Sequence, residues 1–180
     1  VQFGMDTLLQ DKQLVHVSFD RSPSVNFWYD AIFTEISKKK NVGNSAELKD
    51  DVVSKRTILN FNLDNFNLSK VVNTLNALKA GGITVSGMVM DGVDFSKVTE
   101  GDVNAVAQYA AAEKVTVWAA ATADGEKLSD SVPADLEKYF GAVLHLTQKP
   151  DGVAVNVLKI HDKKDVSVGL KLDTKTLLIT

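Results

Sequence analysis

The sequence predicts an α/β fold, a mainly parallel sheet flanked by helices with antiparallel strands towards the C-terminus. Three observations carry this reading. Val85 to Met90 is a mostly apolar run, too short for a helix and introduced by Gly81-Gly82, which marks a strand buried on both faces. Helix-period and strand-like segments alternate as far as Thr122, the pattern of a parallel sheet covered by helices. After Val132-Pro133, strand-like runs follow one another through links too short for crossover helices. They are therefore expected as antiparallel hairpins appended to the parallel sheet.

Taken in order, Val1, Met5, Leu8 and Leu9 form one apolar stripe of an opening helix, with Phe3 beside it. Leu14 to Phe19 reads as a strand ending on Asp20. Ser22-Pro23-Ser24 starts a second helix, with Ser22 as its N-cap, and Val25, Trp28, Ile32, Phe33 and Ile36 are its expected core stripe. Lys38-Lys39-Lys40 complements the macrodipole at that helix's end. Asn41 to Arg56 has no clear period and is expected as a long loop or a short exposed helix. Thr57 to Phe61 is a strand, and Leu68, Val71, Val72, Leu75 and Leu78 repeat at helical spacing until Gly81-Gly82. The Val85–Asp91 strand, an Ala-rich helix through Val103, Val106 and Ala110, and a strand from Val115 to Ala121 follow. A short helix with Leu136, Tyr139 and Phe140 precedes strands at 142–148, 153–160 and 166–172 and a short last piece at 177–179.

At 180 residues the chain reads as one domain spanning 1–180, long enough for a sizeable core. A net charge of −3 is too small for a general affinity for nucleic acid, and the aromatic residues sit at core periods rather than on a stacking platform. The absence of cysteine excludes disulfides, thiolate metal sites and a cysteine nucleophile, and suits a reducing compartment. No apolar run approaches the ~20 residues that span a bilayer. The first ten residues carry Asp6 and Gly4 rather than a basic and then apolar leader, so the default expectation is a soluble cytoplasmic protein without membrane contact. The three histidines are scattered and give no zinc spacing, and His16, between Val15 and Val17, is expected as a packed or hydrogen-bonded core residue. The chain starts on Val1 with a helix already under way and nothing to cap it, as if in the middle of a fold.

An apolar strand closing on a carboxylate, as Met88-Val89-Met90-Asp91 does, sits where open α/β sheets bind ligands, and in phosphate-handling proteins that carboxylate holds Mg²⁺. With this strand, Gln2-Phe3 leading into Val17-Ser18-Phe19-Asp20-Arg21-Ser22-Pro23, the Val117–Thr122 strand, and Val157-Leu158-Lys159-Ile160-His161 stand in a fixed order. Together they resemble the RecA-like ATPases, and within them the KaiC branch, along nearly the whole chain. The resemblance implies a RecA-like fold, with ATP and Mg²⁺ bound between subunits of a homo-oligomer or against a partner protein. Asp91 would ligate the metal, Asp20 would stand at the catalytic acid, Thr122 would lie near the nucleotide, and Lys159 and His161 would stand where the family's basic pair reaches phosphate. Its sheet would bring Asp20, Asp91 and Thr122 to one carboxyl edge.

Three departures accompany the resemblance. The loop Gly-x-x-x-x-Gly-Lys-Ser/Thr, whose amides cradle phosphates, does not occur in these 180 residues. On the resemblance it belongs immediately upstream of Val1, with a central strand whose absence would open a gap beside Val85–Asp91, lined by Val85, Met88, Val89 and Val117. Unpaired buried backbone there costs about 1–3 kcal/mol per group, so the gap is expected to be filled, by a strand of a partner chain, by another segment of the same protein or by a rearranged strand order. Asp20-Arg21 replaces a pair of glutamates, and the shorter acid reaches less far towards a water that must sit within ~3 Å. His161 replaces an arginine, and a neutral imidazole is no substitute for a permanent bidentate cation. Lys159 also fits an outward, solvated place in its strand. Two functions therefore stay open: an ATP-binding and ATP-hydrolysing regulatory switch, and a degenerate, non-catalytic RecA-like module serving as an assembly or signalling platform.

Overall fold

Two units make up the chain in the computed structural model, Val1–Ala121 and Thr122–Thr180, and the structure describes residues 1–19, 25–41, 45–61, 67–150, 152–176 and 178–180. The first unit runs through α1 (Gln2–Leu9), β1 (Gln13–Ser18), α2 (Val25–Lys40), α3 (Ser45–Ser54), β2 (Arg56–Asn60), α4 (Leu68–Ala80), β3 (Val85–Asp91), α5 (Glu100–Glu113) and β4 (Thr116–Ala119). The second contains the short α6 (Leu128–Ser131) and the strands β5 (Ala142–Lys149), β6 (Gly152–Ile160) and β7 (Lys163–Leu172).

The four strands of the first unit are all parallel, in the order β2-β1-β3-β4. The sheet is continuous through Val85–Asp91 with strands of this chain alone, so the place beside it assigned to an absent strand is wrong. β1 pairs with one edge of β3, from Gln13 against Val85 to Ser18 against Asp91, and β4 pairs with the other, from Thr116 against Gly87 to Ala119 against Met90. β3 is thus paired on both edges from Gly87 to Met90, with a register shift against β1 before Gly87, and pairing on both edges is what an apolar central strand requires.

Alternation along the strands sends side chains to two covers. Val15, Val17, Met88 and Met90 join Val71 and Val106 in an apolar cluster against α4 and α5. Leu14, His16, Gly87 and Val89 face α1 and α2 instead. Caps fix where α4 and α5 begin: the Asn67 side chain accepts from the Lys70 amide, and Thr99 and Asp102 form a reciprocal capping box. Asn41 to Arg56, read as loop or exposed helix, contains α3. In α2 the buried residues are Val25, Tyr29, Ile32, Phe33 and Ser37, whereas Trp28 is 40% exposed. The core stripe therefore runs through Tyr29 rather than Trp28, because Tyr29 finds a partner for its hydroxyl inside (below). The N-cap expected at Ser22 lies outside the described residues.

Two glycines let α1 lie close on the sheet. A Cβ at Gly4 would stand 2.4 Å from the Tyr29 hydroxyl, and one at Gly87 would stand 2.7 and 2.8 Å from the Thr7 side chain. Glycine inside a strand marks such a close approach.

The hairpins of the second unit form a separate antiparallel sheet, β5-β6-β7, rather than an appendage of the parallel one. β6 takes β5 and β7 as its two neighbours through short links, a pairing with little loop entropy to lose. His161 turns the second hairpin in the left-handed region, with φ 51°. β7 is exposed along most of its length, and it departs from regular strand geometry at Asp165 (φ 51°) and Gly169 (φ 61°).

Gly87→Ala is expected to lower the unfolding free energy by about 1–3 kcal/mol through overpacking against Thr7. Thr7→Ala in the same chain, which removes the colliding atoms, is expected to restore most of it. Urea denaturation of the two single variants and the double variant measures the coupling.

Candidate functional site

Asp91 ends β3 at the carboxyl edge of the parallel sheet, beside Ser18 at the end of β1, and its carbonyl accepts from the Phe19 amide at 3.0 Å. Gly92 (φ 74°) then turns the chain away, with the Val93 amide bonded to the Ala120 carbonyl at 2.9 Å. The Asp91 carboxylate is half-buried and makes no hydrogen bond or salt bridge among the described residues. Asp94, three residues on, contrasts with it: its carboxylate accepts from the Ser96 amide and hydroxyl and pairs with Lys97 at 3.1 Å. Those hydrogen bonds hold Asp94 below its ordinary range, so it is a turn acid. Asp91 is the uncommitted one. Val1, which precedes α1, lies within electrostatic reach of Asp91. A strand-end carboxylate of this kind gives one group for a cation.

Deeper on the same face lies a polar cluster that the sequence pointed to only in part. His16 is 1% exposed, and its Nδ1 is 3.1 Å from the Tyr29 hydroxyl, with the two rings edge to face at 5.6 Å. The Arg56 guanidinium stands 4.4 Å over the Tyr29 ring and donates to Asn26. His16 Nε2 and Arg56 Nε and Nη1 are buried without partners. Burial, helped by the positive charge of Arg56, pushes His16 down to about 4. Burial also raises Tyr29, so both groups are neutral at ordinary pH. The packed role expected for His16 is what it has, while the contribution of Tyr29 was hidden by assigning the α2 stripe to Trp28.

The other site residues read from the sequence are placed as follows. Asp20 lies outside the described residues. Thr122, Lys159 and His161 belong to the second unit. Thr122 is exposed, and so is His161, whose amide donates to the Gly141 carbonyl at 2.6 Å. Lys159 does not project into solvent. It is buried, donates to the Glu137 carbonyl at 2.7 Å, and lies 3.8 Å from the Glu137 carboxylate, which also takes Lys164 at 2.7 Å. No group of three or more potential metal-ligating His, Cys, Asp or Glu side chains occurs among the described residues, and no helix there is long and apolar enough to cross a membrane.

No protein-family model matches the chain, and no curated protein sequence is significantly similar to it.

Lys159→Met, which keeps the aliphatic stem and removes the ammonium, leaves the Glu137 carbonyl without its donor. It is expected to destabilise the second unit by about 1–3 kcal/mol. Urea unfolding followed by hydrogen exchange of the β6 amides checks this. Unchanged stability would return Lys159 to a free, ligand-facing role.

Proposed function

We propose that this chain is a RecA-like domain of the KaiC branch that binds ATP with Mg²⁺ at the carboxyl edge of its parallel sheet and works as a regulatory switch at a boundary between subunits. The observation that supports this best is Asp91: a half-buried carboxylate without a partner among the described residues, at the end of a central parallel strand. A carboxylate so placed holds Mg²⁺ directly or through water, and Mg²⁺ in turn bridges phosphate oxygens. Asp20 is the proposed catalytic acid, and Thr122 and His161 are proposed on the nucleotide side. The phosphate cradle is not among these 180 residues, so the chain on its own is expected to hold the metal more readily than the phosphates.

A second reading, a non-catalytic module for assembly or signalling, is favoured by Lys159. Its ammonium is already engaged by Glu137, which leaves β6 without that cation for a phosphate.

Manganese binding followed by electron paramagnetic resonance, with and without ATP, separates the two. The first reading expects Mn²⁺ uptake that ATP strengthens and that Asp91→Asn weakens by about tenfold or more, equivalent to about 1.4 kcal/mol. Calorimetry with MgATP on the same chain is expected to show an affinity poorer than micromolar. Equal Mn²⁺ uptake by the wild type and Asp91→Asn would leave the platform reading.

A further inference from the structure

The two faces of the parallel sheet are held by different forces. Against α4 and α5 the contact is a contiguous apolar cluster, to which α1 and α2 contribute no residue. Under α1 and α2, buried apolar residues such as Met5, Leu8, Leu14 and Val89 surround a polar cluster. Whichever tautomer His16 adopts, one imidazole nitrogen meets the Tyr29 hydroxyl and the other has no partner. The groups acting on His16 from each side offer it no counter-charge. Arg56 of β2 is positive, Tyr29 of α2 is neutral, and Val1 before α1 brings no negative charge. Asp30 of α2 acts on Arg56 but pairs with Lys49 of α3 at 3.0 Å, and Asp91 of β3 acts on Tyr29 and Val1. No carboxylate among the described residues bonds to the imidazole.

From this geometry we propose that His16 is an acid-operated release for α2: on taking up a second proton the imidazole becomes an uncompensated cation between sheet and helix, and α2 leaves the sheet while the α4–α5 face stays packed. Opening lets water reach the imidazolium, which the closed form does not. The sign follows from linkage. The folded-state value, about 4, lies below the ordinary 6.5, so closure has its full support above pH 6.5 and loses it as the pH falls towards 4. The slope is up to tenfold in the opening equilibrium per pH unit, and about 300-fold over the whole window. Opening exposes Ile32 and Phe33, now 4% and 3% exposed, beside Phe27 and Trp28, which are already at the surface. No nucleotide takes part.

Hydrogen exchange of the full chain between pH 7 and 4.5, read by mass spectrometry and corrected for the intrinsic pH dependence of exchange, tests this. Peptides of α2 are expected to lose protection by close to tenfold per pH unit below about 6, with α4 and α5 unchanged. His16→Gln and His16→Leu are expected to flatten that dependence. Simultaneous loss of protection in α2 and α4, or an unaltered slope in a folded His16 variant, overturns the proposal. Should neither variant fold, the wild type decides alone: the His16 ring resonances must titrate in step with α2 opening, and a ring that titrates near its ordinary value with α2 closed refutes the release.

Discussion

The first unit depends on the double enclosure of β3. Its edges are paired with β1 and β4, and its faces are covered by helices, so its middle from Gly87 to Met90 has strand partners on both sides. The apolar run from Val85 to Met90 makes that enclosure favourable, and Gly87 lets α1 come down close enough to complete it on one side. The enclosure ends where the apolar residues end. Asp91 emerges at the rim with its carboxylate uncommitted, so the constraint that organises the core also leaves a charged group at the sheet's carboxyl edge.

The two covers of that strand trade different things. The α4–α5 side is apolar and interdigitated, and its stability rests on area removed from water, which is insensitive to pH. The α1–α2 side includes a histidine, a tyrosine and an arginine whose buried nitrogens are not all paired. Such a cluster is costly unless fully satisfied, and it adds directionality to a side that also buries Met5, Leu8, Ile32 and Phe33: Tyr29 meets one particular nitrogen of one particular strand. The Gly4 contact with the Tyr29 hydroxyl ties α1 into the same arrangement.

Much of this was legible in the sequence. The central strand, the alternation that makes its neighbours parallel, and the antiparallel hairpins after Pro133 all follow from period and link length. Strand order does not, because it is decided by long-range pairing that no local period encodes. The place beside β3 assigned to an absent strand is wrong because β1 and β4 occupy both edges. Trp28 and Tyr29 are adjacent aromatics on a helix, and about 100° of rotation separates them. Hydrophobicity alone favoured the tryptophan, and the choice was settled by a hydroxyl that had a buried partner in another element. Lys159 is a similar case. Alternation placed it outward, but Glu137, a contact 22 residues away, draws it inside. Asp91 was legible as a strand-end acid, while its lack of a partner, which separates it from Asp94, is a property of the folded surroundings.

The irregular backbone of β7 bears on how the protein behaves in a crowded solution. A ten-residue strand at the margin of a sheet is a template on which a second molecule could add a strand of its own, although at its far end Lys171 already exchanges two backbone hydrogen bonds with Thr180. Left-handed residues at Asp165 and Gly169 break the straight row of donors and acceptors that such an addition needs, and Lys163, Lys164 and Lys171 place like charges along it. Growth into an extended intermolecular sheet is discouraged at this margin even though Val168 and Leu170 are exposed there. Replacing those two departures with regular strand residues would be a direct route to a fibril-prone form of the same chain.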